Sequence, residues 1–249
     1  AYPDDLFREI VEADLQLSER QRALWDYLES LETTSELKIA EVNSELLKTS
    51  ENVNLNLFEG ENYPAFRTRI EERGDEDFSW YGSMDDENME TAIFVLRRGS
   101  LTGTIRADGE IYSVRPLGEG LHAIIRQDSS FFPPDAPSPE VTLPSAEMRK
   151  TARSGDDGSV QHILVAYTAA VLRETGDIDA LIQLAIDETN QSYRNSEISF
   201  QVELAHSYQA DYRESGDMLT NLERLTLTDD NYMDEVHEFI DKLTALNNG

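Results

Sequence analysis

Cysteine is absent from the 249 residues of this chain. Its absence excludes disulfides, zinc–thiolate sites, thiol nucleophiles and any inhibitory switch that places a thiolate on a metal. It does not fix a compartment, because secreted and cytosolic proteins alike can lack cysteine. Long apolar runs are missing as well: none approaches the ~20 residues of a transmembrane helix. No signal peptide is visible at Ala1-Tyr2-Pro3-Asp4-Asp5. A start without Met fits a chain numbered after signal removal, so the expected location is secreted or periplasmic; a boundary of other origin reads the same.

Positive charge is scarce. Against 50 Asp+Glu there are 21 Lys+Arg, a formal net charge of -29. Nucleic-acid phosphate needs a basic surface, and anionic membranes attract basic segments, so neither is expected as a partner. The acids are spread rather than clustered, which reads as solubility or adaptation to a salty medium. Attraction to cations or to a basic partner is the sharper alternative.

Catalytic motifs are also missing. There is no HExxH, no G-x-S-x-G, no Ser-x-x-Lys pair in a matching context and no Gly-rich phosphate loop. The four histidines, His122, His162, His206 and His237, are isolated in sequence.

What is present is a change of period along the chain. Over residues 4–32, Leu6, Phe7, Ile10, Val11, Leu15 and then Leu24, Trp25, Leu28, Leu31 recur at helical spacing. Ser18 with Gln21 is a capping-box pattern, which predicts two helices broken near Leu17. From about Glu36 to Asp128 the period becomes two: Val53, Leu55 and Leu57 alternate with Asn54, Asn56 and Phe58. Thr91–Arg97 reads as a buried strand. With the turn dipeptides Gly99-Ser100 and Asp108-Gly109, strands at 90–98, 101–107, 110–116 and 121–127 form an antiparallel meander, as in a sandwich or roll.

Residues 129–159 read as a linker. Four of the eight prolines fall between Pro133 and Pro139, and Ser154-Gly155-Asp156-Asp157-Gly158-Ser159 follows. Such a stretch buries too little to fold alone and invites proteolytic nicking. From Val160 the pattern is strand, helix, strand. Ile163–Ala166 is a continuous apolar run, as a strand covered on both faces would show. Ile178, Leu181, Ile182, Ala185, Ile186, Thr189 and Tyr193 make a helical stripe, and Ile198, Phe200, Val202 and Leu204 alternate. A parallel crossover is expected, then helices near 217–227 and 231–246, with Asn247-Asn248-Gly249 as a C-cap.

Two constellations admit chemistry. On a helix, His237 and Asp241 share a face and could hold one metal with Glu238 as base, but zinc sites of this form want His at the fourth position. The alternative is a polar face beside the stripe Met233, Val236, Ile240, Leu243. The run Arg73-Gly74-Asp75-Glu76-Asp77-Phe78-Ser79-Trp80-Tyr81-Gly82 offers hard oxygen ligands, which admits calcium; the calcium-loop spacing is not met, and a solvated turn feeding a strand is the alternative. His206 lies on the apolar side of its strand, where a lone His is more often a packed residue than a ligand. No catalytic, cofactor-binding or metal-ligating residue can be assigned from the sequence.

Two parts of the chain resemble the reprolysin-like bacterial zinc metalloendopeptidases, close to the peptidyl-Asp type. Val165-Ala166-Tyr167-Thr168, Glu188-Thr189-Asn190-Gln191-Ser192-Tyr193 and Tyr232-Met233-Asp234-Glu235-Val236 resemble the opening of the catalytic domain. Phe78–Gly82, Leu101–Arg106 and Asp108–Gly118 resemble the β-rich pro-region that precedes it. Together they cover about residues 65–249. The resemblance implies an α+β chain: a pro-region over 1–128 with a helical N-terminus and an antiparallel β-rich part, the linker 129–159, and over 160–249 the start of an α/β, metzincin-like protease domain. It implies a parent enzyme whose zinc-activated water attacks a peptide bond, with protein substrates, and a pro-region that inhibits or assists folding of the protease part. The family's zinc helix has no counterpart in this chain, so no family ligand carries over and the chain alone is expected to be inactive. A preference for Asp places the candidate processing region at Asp156 and Asp157. The alternative from a different class is a non-enzymatic inhibitor or binding module derived from a truncated protease.

Overall fold

Asp108 and Gly109 both take positive φ, 51° and 79°, as a two-residue type I′ hairpin turn requires. Arg98-Gly99 (50°, 78°) and Glu119-Gly120 (54°, 82°) repeat the geometry. In the computed structural model these turns join β6 (Thr91–Arg97), β7 (Ser100–Ala107), β8 (Glu110–Gly118) and β9 (Leu121–Gln127) into the expected antiparallel meander, with the first turn at Arg98-Gly99 rather than Gly99-Ser100 because Ser100 already pairs with Arg97. The structure describes residues 2–10, 15–85, 90–132, 160–228 and 230–247. It divides into two units, Ala1–Phe132 with Val171–Glu188, and Pro133–Ala170 with Thr189–Gly249.

The first unit is built on one nine-stranded sheet. To the meander it adds β1 (Phe7–Glu9), β2 (Thr34–Val42), β3 (Asn52–Asn56), β4 (Asn62–Gly74) and β5 (Asp77–Ser83), in the order β1-β2-β9-β8-β7-β6-β5-β4-β3. Its two edges meet. The Leu6 N–H donates to the Asn54 carbonyl at 2.9 Å, and the Asn54 N–H to the Asp4 carbonyl at 2.8 Å. The Asn56 side chain accepts from the Phe7 N–H at 3.0 Å and donates to the Phe7 carbonyl at 2.5 Å. Closure of this kind removes the exposed edges that an open sheet must protect. The expected sandwich or roll is therefore corrected to a single sheet closed nearly into a barrel.

The first predicted helix is corrected too. Residues 4–10 run extended, and Phe7–Glu9 pair antiparallel with Ala40–Val42. Leu6 and Phe7 are buried (0% and 1% exposed) in the barrel interior, so tertiary pairing overrides a spacing that also suits a helix. Residues 11–14 lie outside those described. The second helix stands as predicted: α1 (Glu19–Ser30) starts at Ser18 with both capping-box bonds formed. A short helix, α2 (Glu45–Thr49), precedes β3.

Strand alternation supplies two cores. Phe7, Trp80, Phe94, Tyr112, Leu101 and Ile105 face inward and pack as one cluster. Trp80 and Phe94 lie 5.6 Å apart between ring centroids, and Phe94 meets Phe7 edge-on at 6.5 Å. Outward residues of the same strands pack under helices. Ile39, Leu117, Ala123 and Ile125 lie beneath Leu24, Trp25 and Leu28 of α1. With both faces covered, Ala92–Leu96 reads as unbroken apolar sequence.

In the second unit β10 (Val160–Tyr167) and β11 (Gln201–Gln209) pair in parallel, as expected. Along the chain α3 (Ala169–Glu174) and α4 (Ile178–Asn195) come between them, with residues 171–188 belonging to the first unit; α5 (Met218–Thr226) and α6 (Asp234–Asn247) follow. Asn190 ties helix to strand, accepting from the Val202 N–H at 2.8 Å and donating to the Val202 carbonyl at 2.9 Å. The apolar run of β10 is not enclosed: each of its residues is half-buried or exposed, because a two-stranded sheet has too little surface to cover it. Asn248 and Gly249 of the predicted C-cap lie outside the described residues.

Candidate functional site

Among the described residues of the first unit, charge and burial meet where residues 176–188 lie on the outer face of β5 and β6. Asp177 starts α4, its carboxylate accepting from the Ala180 N–H at 3.1 Å. The same carboxylate oxygen lies 3.2 Å from Nη1 of Arg97, and Asp179 Oδ2 lies 2.7 Å from that nitrogen. Burial draws the Arg97 guanidinium down, but Asp177 and Asp179 outweigh it and hold it above its ordinary value.

Past the ion pairs the contact is apolar. Ala180 and Leu184, four residues apart on one helix face, pack on Tyr81, Ile93 and Val95. One turn on, Asp187 is 2% exposed. The buried Ser79 hydroxyl donates to it, and Gln183 Nε2 donates to its other oxygen at 2.8 Å. Arg73 Nη1 donates to the Ser79 oxygen at 2.7 Å. Burial pushes the Asp187 carboxyl above the usual carboxylate range, against these hydrogen bonds and the charge of Arg73. At the near end, a β-carbon built on Gly176 would lie 1.9 Å from the Pro116 carbonyl oxygen, so this loop fits only as glycine.

This arrangement seats one face of α4 on the sheet. It is no nucleophile site: Ser79 is fully buried, and its partners are a carboxylate and a guanidinium rather than an imidazole base.

The sequence-level candidates are placed elsewhere. His237 Nε2 lies 3.0 Å from the Leu225 carbonyl, and Glu238 pairs with Lys242 at 3.4 Å. His206 stacks on Tyr208 and against Phe239. His162 lies 3.6 Å from Glu203. His122 is buried: its Nε2 accepts from the Leu101 N–H at 2.9 Å and its Nδ1 faces the Gly120 carbonyl at 3.0 Å. Among the described residues no three His, Cys, Asp or Glu side chains group to hold a metal. A zinc ion therefore does not fit the described residues, and no hydrolytic step is derived from them. In the acidic run offered for calcium, Asp75-Glu76 form the β4–β5 turn, with Glu76 at φ 57°. Asp77 faces Arg73 at 2.8 Å and Arg97 at 3.8 Å, which makes it a cation's partner already. Asp156 and Asp157 lie outside the described residues.

Arg97, Asp177 and Asp187 are the residues that sequence reasoning passed over. Asp187 carried a signal: it follows Ala180 and Leu184 at i+7 and i+3 on one helix face, and an acid on a buried face asks for a partner.

No protein-family model matches the chain. Its curated relatives define a metallopeptidase-like relationship. More particularly, it is 27% identical over 232 residues to a peptidyl-Asp metalloendopeptidase of Xanthomonas campestris pv. campestris, covering 86% of this chain and 56% of that protein. It is 33% identical over 199 residues to the peptidyl-Asp metalloendopeptidase of Stenotrophomonas maltophilia, covering 72% of this chain and 48% of that one. The chain thus spans about half the length of the curated relatives it matches. A solved structure of a chaperone–substrate complex aligns with 42% of this chain and 87% of its own at 14% identity and a TM-score of 0.34, too low to define the fold. No helix among the described residues is long and apolar enough to cross a membrane.

Proposed function

We propose that this chain belongs to the precursor of a secreted zinc metalloendopeptidase. Residues 1–128, whose described strands form the closed sheet, act as its pro-region, inhibiting or helping to fold the protease part. The segment from Val160 begins a metzincin-like catalytic domain whose substrates are proteins. The observation that carries this reading is the similarity to peptidyl-Asp metalloendopeptidases over 86% of the chain, a span that must include residues from both sides of 133–159. The seat of residues 176–188 on the sheet supports it, because a pro-region must grip the part it controls. Without cysteine, the grip cannot be a thiolate on zinc.

Two experiments test it. The coding sequence beyond codon 249 is expected to encode HExxH with a further histidine; a stop or unrelated sequence there would move the reading to a non-enzymatic binding module. N-terminal sequencing of a mature enzyme is expected to place its start near Asp156-Asp157, and a start well outside 129–160 would overturn the assignment of the linker.

A further inference from the structure

We propose that the outer sheet face formed by Ser79, Tyr81, Val95 and Arg97 is a docking surface for the acidic segment of residues 176–188, which opens α4, strong enough to hold it in trans. After a cut in the backbone between residues 132 and 160, the N-terminal sheet then stays bound to the remainder of the chain through this helix. The biological use of such a complex rests on the pro-region reading; the binding itself does not.

Three observations carry it. First, residues 171–188 belong to the same unit as the sheet, although 133–159 separate them from it along the chain. The Arg97 ion pairs, the Ser79–Asp187 hydrogen bond and the packing of Ala180 and Leu184 across this face are side-chain contacts, which survive a cut. Second, the charges are complementary. In a chain with 50 acids and 21 cations, Arg73 and Arg97 sit on this face and meet Asp177, Asp179 and Asp187. A third cation, Arg115 on β8, feels Glu188. An acidic protein repels most acidic helices, so this cationic patch selects its partner. Third, the fit is specific in shape. Gly176 lies on Pro116 with no room for a β-carbon, and Ala180 and Leu184, 0% and 2% exposed, pack between the ionic ends. An apolar centre with charged ends is the anatomy of a true interface.

The test uses the full chain with a specific protease recognition sequence inserted between residues 140 and 150. The chain is cut under native conditions and passed over a sizing column, and dissociation of the two fragments is timed by native mass spectrometry after dilution. The expected result is co-elution. Arg97→Glu should speed dissociation at least tenfold, and adding Asp179→Arg, which leaves the Asp177 cap in place, should recover part of that loss, as a charge-pair swap does. Gly176→Val, outside the sheet, should also separate the fragments, which keeps the test alive if Arg97→Glu unfolds the uncut chain. Fragments that part on cutting while each retains its far-UV circular dichroism would overturn the proposal. So would co-elution that neither Arg97→Glu nor Gly176→Val disturbs, because the grip would then lie elsewhere. A stable complex with no HExxH encoded downstream leaves the docking surface standing and removes only the protease reading; an HExxH downstream with fragments that part does the reverse.

Discussion

Arg97 and Asp177 meet at 3.2 Å although eighty residues of chain separate them. Asp177 also caps the helix it begins, accepting from Ala180. One carboxylate thus decides both where α4 starts and where it lies. The two roles are separable by substitution. Asn caps as well as Asp but carries no charge, so Asp177→Asn should lose the ion pair alone, whereas Asp177→Ala loses both. The expected difference between the variants is about 1 kcal/mol, with Ala the worse. Urea unfolding followed by tryptophan fluorescence reads it, since Trp25 and Trp80 both lie in the unit that seats the helix. Equal losses would mean that the cap contributes nothing.

His122 predicts how this unit responds to acid. Burial draws its imidazole down from 6.5 to about 4. The unfolded chain therefore binds a proton that the folded one refuses. Stability is full above about pH 6.5, falls as pH drops toward 4, and levels off below. A gap of this size corresponds to a loss of about 3 kcal/mol. His122→Gln keeps an acceptor for the Leu101 N–H but does not titrate. Its melting temperature should be lower at pH 7.5 and should lose much of the pH 4–6.5 dependence of the parent.

Asp187 acts in the opposite sense. Its carboxyl is raised above its ordinary 3.8, so the folded state holds a proton more firmly than the unfolded one. Its contribution is greatest in acid and is lost as pH rises through the folded value. Asp187→Asn fixes the neutral form and can still accept from Ser79. The variant should be at least as stable as the parent at pH 7.5, and any advantage should vanish toward pH 4. A large loss at neutral pH would show that the charge facing Arg73 matters more than its burial.

Gly103 is a packing prediction. It faces Phe94 on the neighbouring strand, and a β-carbon there would lie 2.3 Å from Phe94 Cδ1 and 2.7 Å from the Ile93 carbonyl oxygen. Gly103→Ala should cost about 1–3 kcal/mol by overpacking. The second substitution Phe94→Leu, which removes the ring that blocks it, should recover part of the loss; additive losses would place the strain at the backbone instead.

Much of the local structure was legible because short-range signals were clean. Asp-Gly demands positive φ, so the β7–β8 turn followed from two residues. Ser18 and Gln21 fixed the start of α1 by a three-residue rule, and the switch from period two to the Val160 strand–helix–strand pattern located the parallel pair. The strand at Phe7–Glu9 was not legible. Leu6, Phe7 and Ile10 fit a helical stripe as well as they fit a strand edge, and only pairing with Ala40–Val42 and closure against Asn54 decide between them.

By itself, then, the sequence determined the turns, the capped helix, the crossover and the absence of thiol chemistry, each set by the covalent chemistry of a few neighbouring residues. Only the tertiary structure decided that the sheet closes on itself and that Arg97 receives Asp177 and Asp179. Those outcomes depend on which of 50 acids meets which of 21 cations, and on which strand edges come together. Such choices are made by burial and long-range geometry, which leave no periodic mark along the chain.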